Sequence, residues 1–146
     1  MRIIIVSPSL DPTKNVSGLS SVTRFIIENT PHHNYIHFEL GRKDDEKGGI
    51  YRVSSIIRRF KEWKHLLKNY PDAIVHYNFP LEKPSIIRDT PFMNAALKNG
   101  NRMVIHIHGG IYLTSESIPF PFRQICMTSD IRNTPYFNAF YDLYYR

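Results

Sequence analysis

The chain has 146 residues, which is enough for one domain with a buried core and too few for two domains of ordinary size. Its composition, 42% hydrophobic and 22% charged, excludes an intrinsically disordered chain. The formal net charge of +6 indicates an anionic partner and leaves nucleic acid, acidic lipid headgroups and nucleotide phosphates open.

The first part of the chain predicts a strand, a loop and a helix. Residues 2–6 are rich in β-branched side chains and show no alternation with polar residues, as in a strand buried on both faces of a parallel sheet. Residues 7–19 form a polar loop. A helix is predicted from a serine N-cap at 20–21 to about Asn29, because Pro31 disfavours helical geometry just before it. Its apolar stripe is expected to consist of Val22, Phe25 and Ile26.

The middle of the chain predicts a second strand at residues 35–40, a long amphipathic helix at 53–67 and a third strand at 73–79. The apolar stripe of this helix comprises Val53, Ile56, Ile57, Phe60, Trp63, Leu66 and Leu67. The basic residues on its outward face are Arg58, Arg59, Lys61, Lys64 and Lys68.

A third helix is predicted at residues 85–99, with Gly100 as its stop signal and with a kink or a split at Pro91. A fourth strand follows at residues 102–107. Strands that alternate with helices in this way predict an α/β fold, with a Rossmann-like, mainly parallel sheet and helices on both faces.

This predicted Rossmann-like domain covers residues 1–125, and residues 126–146 form an aromatic-rich tail that is divergent or truncated. The single cysteine, Cys126, excludes an internal disulfide and favours a reducing compartment. No apolar run is long enough to span a bilayer. The expected location is therefore the cytoplasm, with contact at the inner face of the membrane.

Ligands of open α/β sheets bind outside the carboxyl ends of the strands, and residues 7–21, 78–85 and 108–112 fall at such ends. Ser17 and Gly18 precede the first predicted helix, whose free backbone amides would bind a phosphate. A capped helix without a ligand explains them equally well, and the sequence leaves both interpretations open. The absence of a G-x-G-x-x-G motif and of a Walker lysine disfavours a dinucleotide site and a P-loop.

The segment His108-Gly109-Gly110 is the best functional marker in the sequence. It places an imidazole at a strand end, where two glycines let the backbone come close to a ligand. The alternative is a capping residue followed by a plain turn. His106 would lie on the same side of the strand as His108, but no third ligand has suitable spacing. We therefore expect no metal site, and we expect His106 and His76 to be buried, hydrogen-bonded core residues.

The basic face of the second predicted helix would contact acidic lipid headgroups, or would simply be solvated. Nucleic acid is not an expected partner, because Phe60 and Trp63 fall on the core stripe instead of alternating with the basic residues.

Three segments carry a family resemblance: residues 2–6 with the loop that reaches Ser17-Gly18-Leu19, residues 72–78 (DAIVHYN) and residues 98–110 (KNGNRMVIHIHGG). Together they resemble the opening domain of the bacterial family 4 glycosyltransferases, which have the GT-B architecture. The likeness covers residues 1 to about 122, and the last segment is its most specific part.

The resemblance implies one half of a GT-B enzyme, in which this domain binds the acceptor and a second domain binds most of a nucleotide-sugar. The reaction is transfer of a sugar to a saccharide or lipid-linked acceptor, without a metal or a cofactor. Gly18, preceded by Ser17, matches the glycine-rich loop that approaches the donor diphosphate. His108 matches the histidine that lines the cleft near the transferred sugar, and Gly109 and Gly110 complete its loop.

The donor domain of this family carries two glutamates eight positions apart, and this sequence has no such pair. We therefore expect the chain to supply only the acceptor half of the cleft, to need a C-terminal donor domain as partner, and to lack transferase activity alone. The alternative is a non-catalytic α/β module that binds a sugar or a phosphate, or an inactive fragment.

Overall fold

The computed structural model describes residues 1–41 and 50–108 of the chain. Gly109, Gly110 and the predicted tail at 126–146 lie outside the described residues. The described elements, in chain order, are β1 Arg2–Ser7, α1 Gly18–Asn29, β2 Asn34–Glu39, α2 Ile50–Asn69, β3 Ile74–Phe79, α3 Lys83–Lys98 and β4 Met103–Ile107. All four predicted strands and all three predicted helices are confirmed.

The four strands form one parallel sheet in the order β2-β1-β3-β4. Ile4 of β1 pairs with Ile36 on one side and with Val75 on the other. The direction of strand succession therefore reverses between β1 and β3, and this switch point is where open α/β sheets leave a crevice outside their carboxyl ends.

The helices cover both faces of the sheet, as predicted. Ile4, Val6, Val75 and Tyr77 point to one face and form a core with α2 and α3. Side chains that alternate with these point to the opposite face, where α1 lies. Trp63 is fully buried in this core and donates its indole N–H to the backbone carbonyl of Phe92 at 2.8 Å.

The first helix differs from its predicted form. It begins at Gly18 with Ser17 as N-cap, not at 20–21, because the Ser17 hydroxyl accepts the Ser20 amide at 3.2 Å. The apolar stripe of α1 is largely exposed, since Phe25 is 65% and Val22 is 37% exposed. Thr23 is buried instead, because this side of α1 packs on polar atoms of the sheet.

The second helix begins at Ile50 and is longer than predicted. Trp63 and Leu67 are buried as expected, but Val53 and Ile57 are 57% and 53% exposed, so their assignment to the core was wrong. The reason is length: a helix of 20 residues is about 30 Å long, whereas a strand of six residues spans about 20 Å. The first turns of α2 therefore extend beyond the sheet.

The third helix begins at Lys83, two residues before its predicted start, and runs through Pro91 as a single helix, so the predicted split is absent. Its predicted stop at Gly100 is confirmed. Gly100 has φ +86° and donates its amide to the carbonyl of Leu97, and the Asn101 amide bonds the carbonyl of Ala96. Among the described helices, none has both the length and the apolar character that a membrane span requires.

Candidate functional site

A crevice of about 340 Å³ lies at the carboxyl edge of the sheet, beside the switch point between β1 and β3. The loop after β1, the end of β2, the start of α2 and the loop between β3 and α3 enclose it. Its polar lining includes Ser17, Asn78, Ser85, Arg52 and Arg88. Two of the three sequence segments that were expected at this edge therefore contribute directly to one cavity.

The N-terminus of α1 faces this crevice through Ser17 and Leu19. A buried hydrogen bond from the Ser20 hydroxyl to the Asn15 side chain, at 3.1 Å, holds this turn. A Cβ atom added to Gly18 would meet no heavy atom within 4 Å, so packing within the described chain does not require a glycine there. The structure thus shows the capped helix; phosphate binding stays a prediction.

The N-terminus of α3 meets the same crevice. Glu82 is its N-cap residue, and the Ser85 hydroxyl donates to the Glu82 carboxylate at 3.3 Å. The first-turn amides of any helix lack partners within the helix and carry partial positive charge. The two helix N-termini favour an anionic ligand, whereas the Glu82 carboxylate at the same crevice opposes one.

Arg88 is held at the crevice by a buried ion pair. Its guanidinium donates to both carboxylate oxygens of Asp89, one of them at 2.8 Å, and Asp89 is 1% exposed. Burial raises the pKa of Asp89, and the adjacent guanidinium opposes that rise. Asp89 balances the charge of Arg88, and the second lining cation, Arg52, is offset by the Glu82 carboxylate, which lines the same crevice.

Asn78, at the end of β3, connects His108 to the crevice. The Asn78 side-chain oxygen lies 2.9 Å from Nε2 of His108. The Asn78 side-chain nitrogen donates to the Val6 carbonyl at 3.0 Å and to the Thr23 hydroxyl at 3.2 Å. These two bonds fix the orientation of the amide, so its oxygen faces the imidazole. Since that oxygen only accepts, Nε2 of His108 carries the proton.

This arrangement determines what His108 offers a ligand. Burial, followed by the nearby His106, lowers the pKa of His108, which favours the neutral form of the ring. With Nε2 protonated, Nδ1 is left as a hydrogen-bond acceptor. His108 is outside the described lining of the crevice, but it lies one hydrogen bond away through Asn78.

Three histidines form a row on the face of the sheet that carries α1. The ring centroids of His76 and His106 are 5.6 Å apart, and those of His106 and His108 are 3.9 Å apart. The predicted placement of His106 and His108 on one side is confirmed.

The prediction of a buried, hydrogen-bonded core histidine was wrong for both His76 and His106. Both rings are only half-buried, and within the described chain Nε2 of His76 has no hydrogen-bond partner. Burial, His106 and His108 lower the pKa of His76 to about 4. In residues 1–41 and 50–108 no group of three or more histidine, cysteine or acidic residues is arranged to hold a metal ion.

The basic face of α2 is only partly available to a partner. Arg59 forms ion pairs with Glu39 at 3.5 Å and with Glu62 at 3.1 Å, and Arg58 lies 3.9 Å from Glu62. The other predicted residues of this face, Lys61, Lys64 and Lys68, are exposed. Trp63 is buried and Phe60 packs against the core, which agrees with their predicted place on the core stripe.

Sequence reasoning placed Asn78 at the ligand-binding edge without giving it a role, and it missed Arg52 and the Arg88–Asp89 pair. The signal for Asn78 was present, since an asparagine in an otherwise apolar strand needs a buried polar partner. No local signal identifies Arg52, because its place at the crevice depends on how α2 packs.

No protein-family model, no curated protein and no solved structure matches this chain. The resemblance to the family 4 glycosyltransferases therefore depends on the sequence segments alone, and it stays a prediction.

Proposed function

We propose that this chain is the acceptor-side domain of a nucleotide-sugar-dependent glycosyltransferase and acts together with a donor-binding domain. The observation that carries the proposal is the hydrogen-bonded bridge of Asn78. It joins His108, at the end of β4, to α1, whose N-terminus contributes Ser17 to the crevice. The Asn78 network thus reaches His108 and the middle of α1, and Ser17 lines the crevice at the start of that helix.

In the proposed reaction, the acceptor hydroxyl oxygen forms a bond to the anomeric carbon of the donor sugar. The bond between that carbon and the diphosphate oxygen breaks, and the nucleoside diphosphate leaves with the electron pair. The acceptor proton passes to a base or to the leaving phosphate. His108 orients the sugar, because Nδ1 accepts a hydrogen bond from a sugar hydroxyl.

The diphosphate is expected at the N-terminus of α1, where Gly18 leaves space for close approach of a phosphate. Arg52 lines the same crevice, where its guanidinium could pair with the diphosphate in place of the Glu82 carboxylate. Gly109 and Gly110 would complete the loop that carries His108. No step requires a metal ion or a cofactor.

The proposed place of action is the cytoplasmic face of a membrane, where a lipid-linked acceptor is presented. Lys61, Lys64 and Lys68 would contact acidic headgroups there. Arg58 and Arg59 contribute less than the sequence suggested, because Glu62 pairs with both. Nucleic acid is not part of the proposal.

Saturation-transfer NMR on the full chain, with a panel of uridine, guanosine and thymidine diphosphate sugars, tests this function. We expect weak binding to at least one of them. Gly18→Ala should weaken that binding roughly tenfold, because the new methyl group occupies the space of the phosphate. His108→Gln should reduce transfer to the sugar protons, and His65→Gln on exposed α2 is its matched control.

Unchanged binding by folded Gly18→Ala would contradict the proposed diphosphate site. Failure of every nucleotide-sugar to bind, with retained binding of inorganic phosphate or of a free saccharide, would favour the alternative of a non-catalytic binding module.

A further inference from the structure

The face of the sheet that carries α1 is only partly covered by the described helices. The helices α2 and α3 pack against the opposite face, where Met103, Ile105 and Ile107 of β4 join the core. Val104, which alternates with these residues, points to the α1 side and is 40% exposed. The edge strand β4 therefore presents an apolar side chain that the described helices leave open to solvent.

The helix α1 turns an apolar flank towards this open area. Successive residues of a helix advance by about 100°, so Val22 and Ile26 lie on one flank of α1 and Arg24 lies on the other. Arg24 donates to a carbonyl of the loop after β1, and Lys14 of that loop lies within electrostatic reach of Glu39 in β2. The flank of Val22 and Ile26 therefore faces away from β2, towards β3 and β4, as a right-handed β1–α1–β2 connection requires.

Histidine rings form the floor between this flank and β4. The rings of His76 and His106 are half-buried and stack with their centroids 5.6 Å apart. Nε2 of His76 is buried without a hydrogen-bond partner in the described chain, which costs free energy unless a further group bonds it. We call this surface the α1–β4 face and define it by Val22, Phe25, His76, Val104 and His106. It is apolar at its rim and has one unsatisfied polar atom in its floor.

The C-terminal part of the chain contains a segment that fits this face. It follows β4, the edge strand on which the α1–β4 face lies. Thr134 and Pro135 are typical of a helix N-cap and of the first helical position. The aromatic residues after them have the i, i+3, i+4, i+7 spacing of one helical stripe, namely Phe137, Phe140, Tyr141 and Tyr144.

We propose that residues 135–146 form a helix that packs across the α1–β4 face with its aromatic stripe inward. The phenyl rings cover Val104 and the apolar flank of α1. A tyrosine hydroxyl, which both donates and accepts hydrogen bonds, reaches Nε2 of His76. A helix of this span is about 18 Å long and matches the roughly 20 Å of a six-residue strand such as β3.

Limited proteolysis of the full chain with chymotrypsin, which cleaves after aromatic residues, tests the proposal. Mass spectrometry follows cleavage within residues 136–145. We expect this cleavage to be at least about tenfold slower than in a synthetic peptide of residues 128–146, because the packed segment must open before it is cut.

Val104→Asp should speed this cleavage roughly tenfold, because packing of the segment would bury an unpaired carboxylate. Val104→Thr keeps the β-branched shape that suits the strand and should speed the cleavage roughly threefold. Ile87→Asp is the matched control, since Ile87 is an exposed aliphatic residue of α3, over the opposite face of the sheet. Thermal unfolding checks that the variants fold.

The reciprocal experiment changes the segment and measures the face. Phe140→Ser should raise the rate at which diethylpyrocarbonate modifies His106, because the segment then opens more often. Modification of His32, which is exposed in the loop before β2, should not change.

Cleavage of the wild type as fast as the peptide, or equal cleavage of the wild type and both Val104 variants, would overturn the proposal. So would faster cleavage in Ile87→Asp, because the segment would then lie between α2 and α3. A cleavage rate that depends on protein concentration would also overturn it, since the face would then hold the segment of a second copy. The described lining of the crevice includes no residue of the α1–β4 face, so these outcomes do not depend on nucleotide-sugar binding.

Discussion

The Nε2 atom of His108 lies 2.9 Å from the side-chain oxygen of Asn78, and this contact links the ends of β4 and β3. Asn78 is 4% exposed and has its amide nitrogen committed to the Val6 carbonyl and the Thr23 hydroxyl. A single asparagine thereby sets the orientation and the protonated nitrogen of the candidate site histidine. Asn78 is in this sense a positioning residue.

Asn78→Asp should raise the pKa of His108 by about one unit or more, because a carboxylate would replace the neutral amide beside the imidazole. The measurement is an NMR titration of the histidine ring protons, with His108→Gln used to assign the resonance. An unchanged pKa in a folded Asn78→Asp variant would show that the bridge does not control the imidazole.

The stability of the protein should fall between pH 6.5 and about pH 4. The pKa of His76 is about 4 in the folded state and near 6.5 when the chain is unfolded, so the unfolded state binds the proton first as the pH falls. The stabilisation is therefore complete above pH 6.5 and is lost as the pH falls towards 4. The pKa of His108 is lowered too and acts in the same direction.

Solvent screening of the half-buried ring reduces this effect of His76 to about 1–2 kcal/mol. Urea unfolding at several pH values measures it. His76→Phe should flatten the pH dependence by that amount, since it keeps the ring contact with His106 and removes the titrating nitrogen. A variant whose acid sensitivity equals that of the wild type would exclude His76 as its source.

Asp89→Asn should destabilise the fold by about 3 kcal/mol, because it leaves the buried guanidinium of Arg88 without a balancing charge. Thermal unfolding measures the loss, with Glu28→Gln on the exposed surface of α1 as control. The double variant Arg88→Met, Asp89→Leu should recover most of the stability, since it removes both charges together. A double variant as unstable as Asp89→Asn would contradict this explanation.

Alanine substitutions at two glycines should change the free energy of unfolding in different ways. Gly100→Ala should cost about 1 kcal/mol, because its φ of +86° strains any residue that has a Cβ. Gly18→Ala should leave the free energy of unfolding unchanged or raise it slightly, because the new Cβ meets no neighbouring atom. Urea unfolding of both variants is the test, and equal destabilisation would show that Gly18 has a structural role.

The order of the helices and strands and the class of the fold can be predicted from the sequence, since they follow from local patterns of residues. The β-branched run at residues 2–6 predicts a strand that is buried on both faces of the sheet. The glycine at position 100 predicts where α3 ends. The same patterns misplaced Ile57, because periodicity shows that a helix has an apolar stripe but not which atoms it meets. The inward side of α1 is polar because Asn78 faces it.

The candidate site was decided by the tertiary structure. The Asn78 amide bonds the carbonyl of Val6 across 72 positions of the chain, and His108 reaches Asn78 across 30. Arg52 and Arg88 share a cavity only because α2 and α3 pack side by side over the same face of the sheet. Contacts of this range depend on strand order and on helix direction, and neither is encoded in the local spacing of residues.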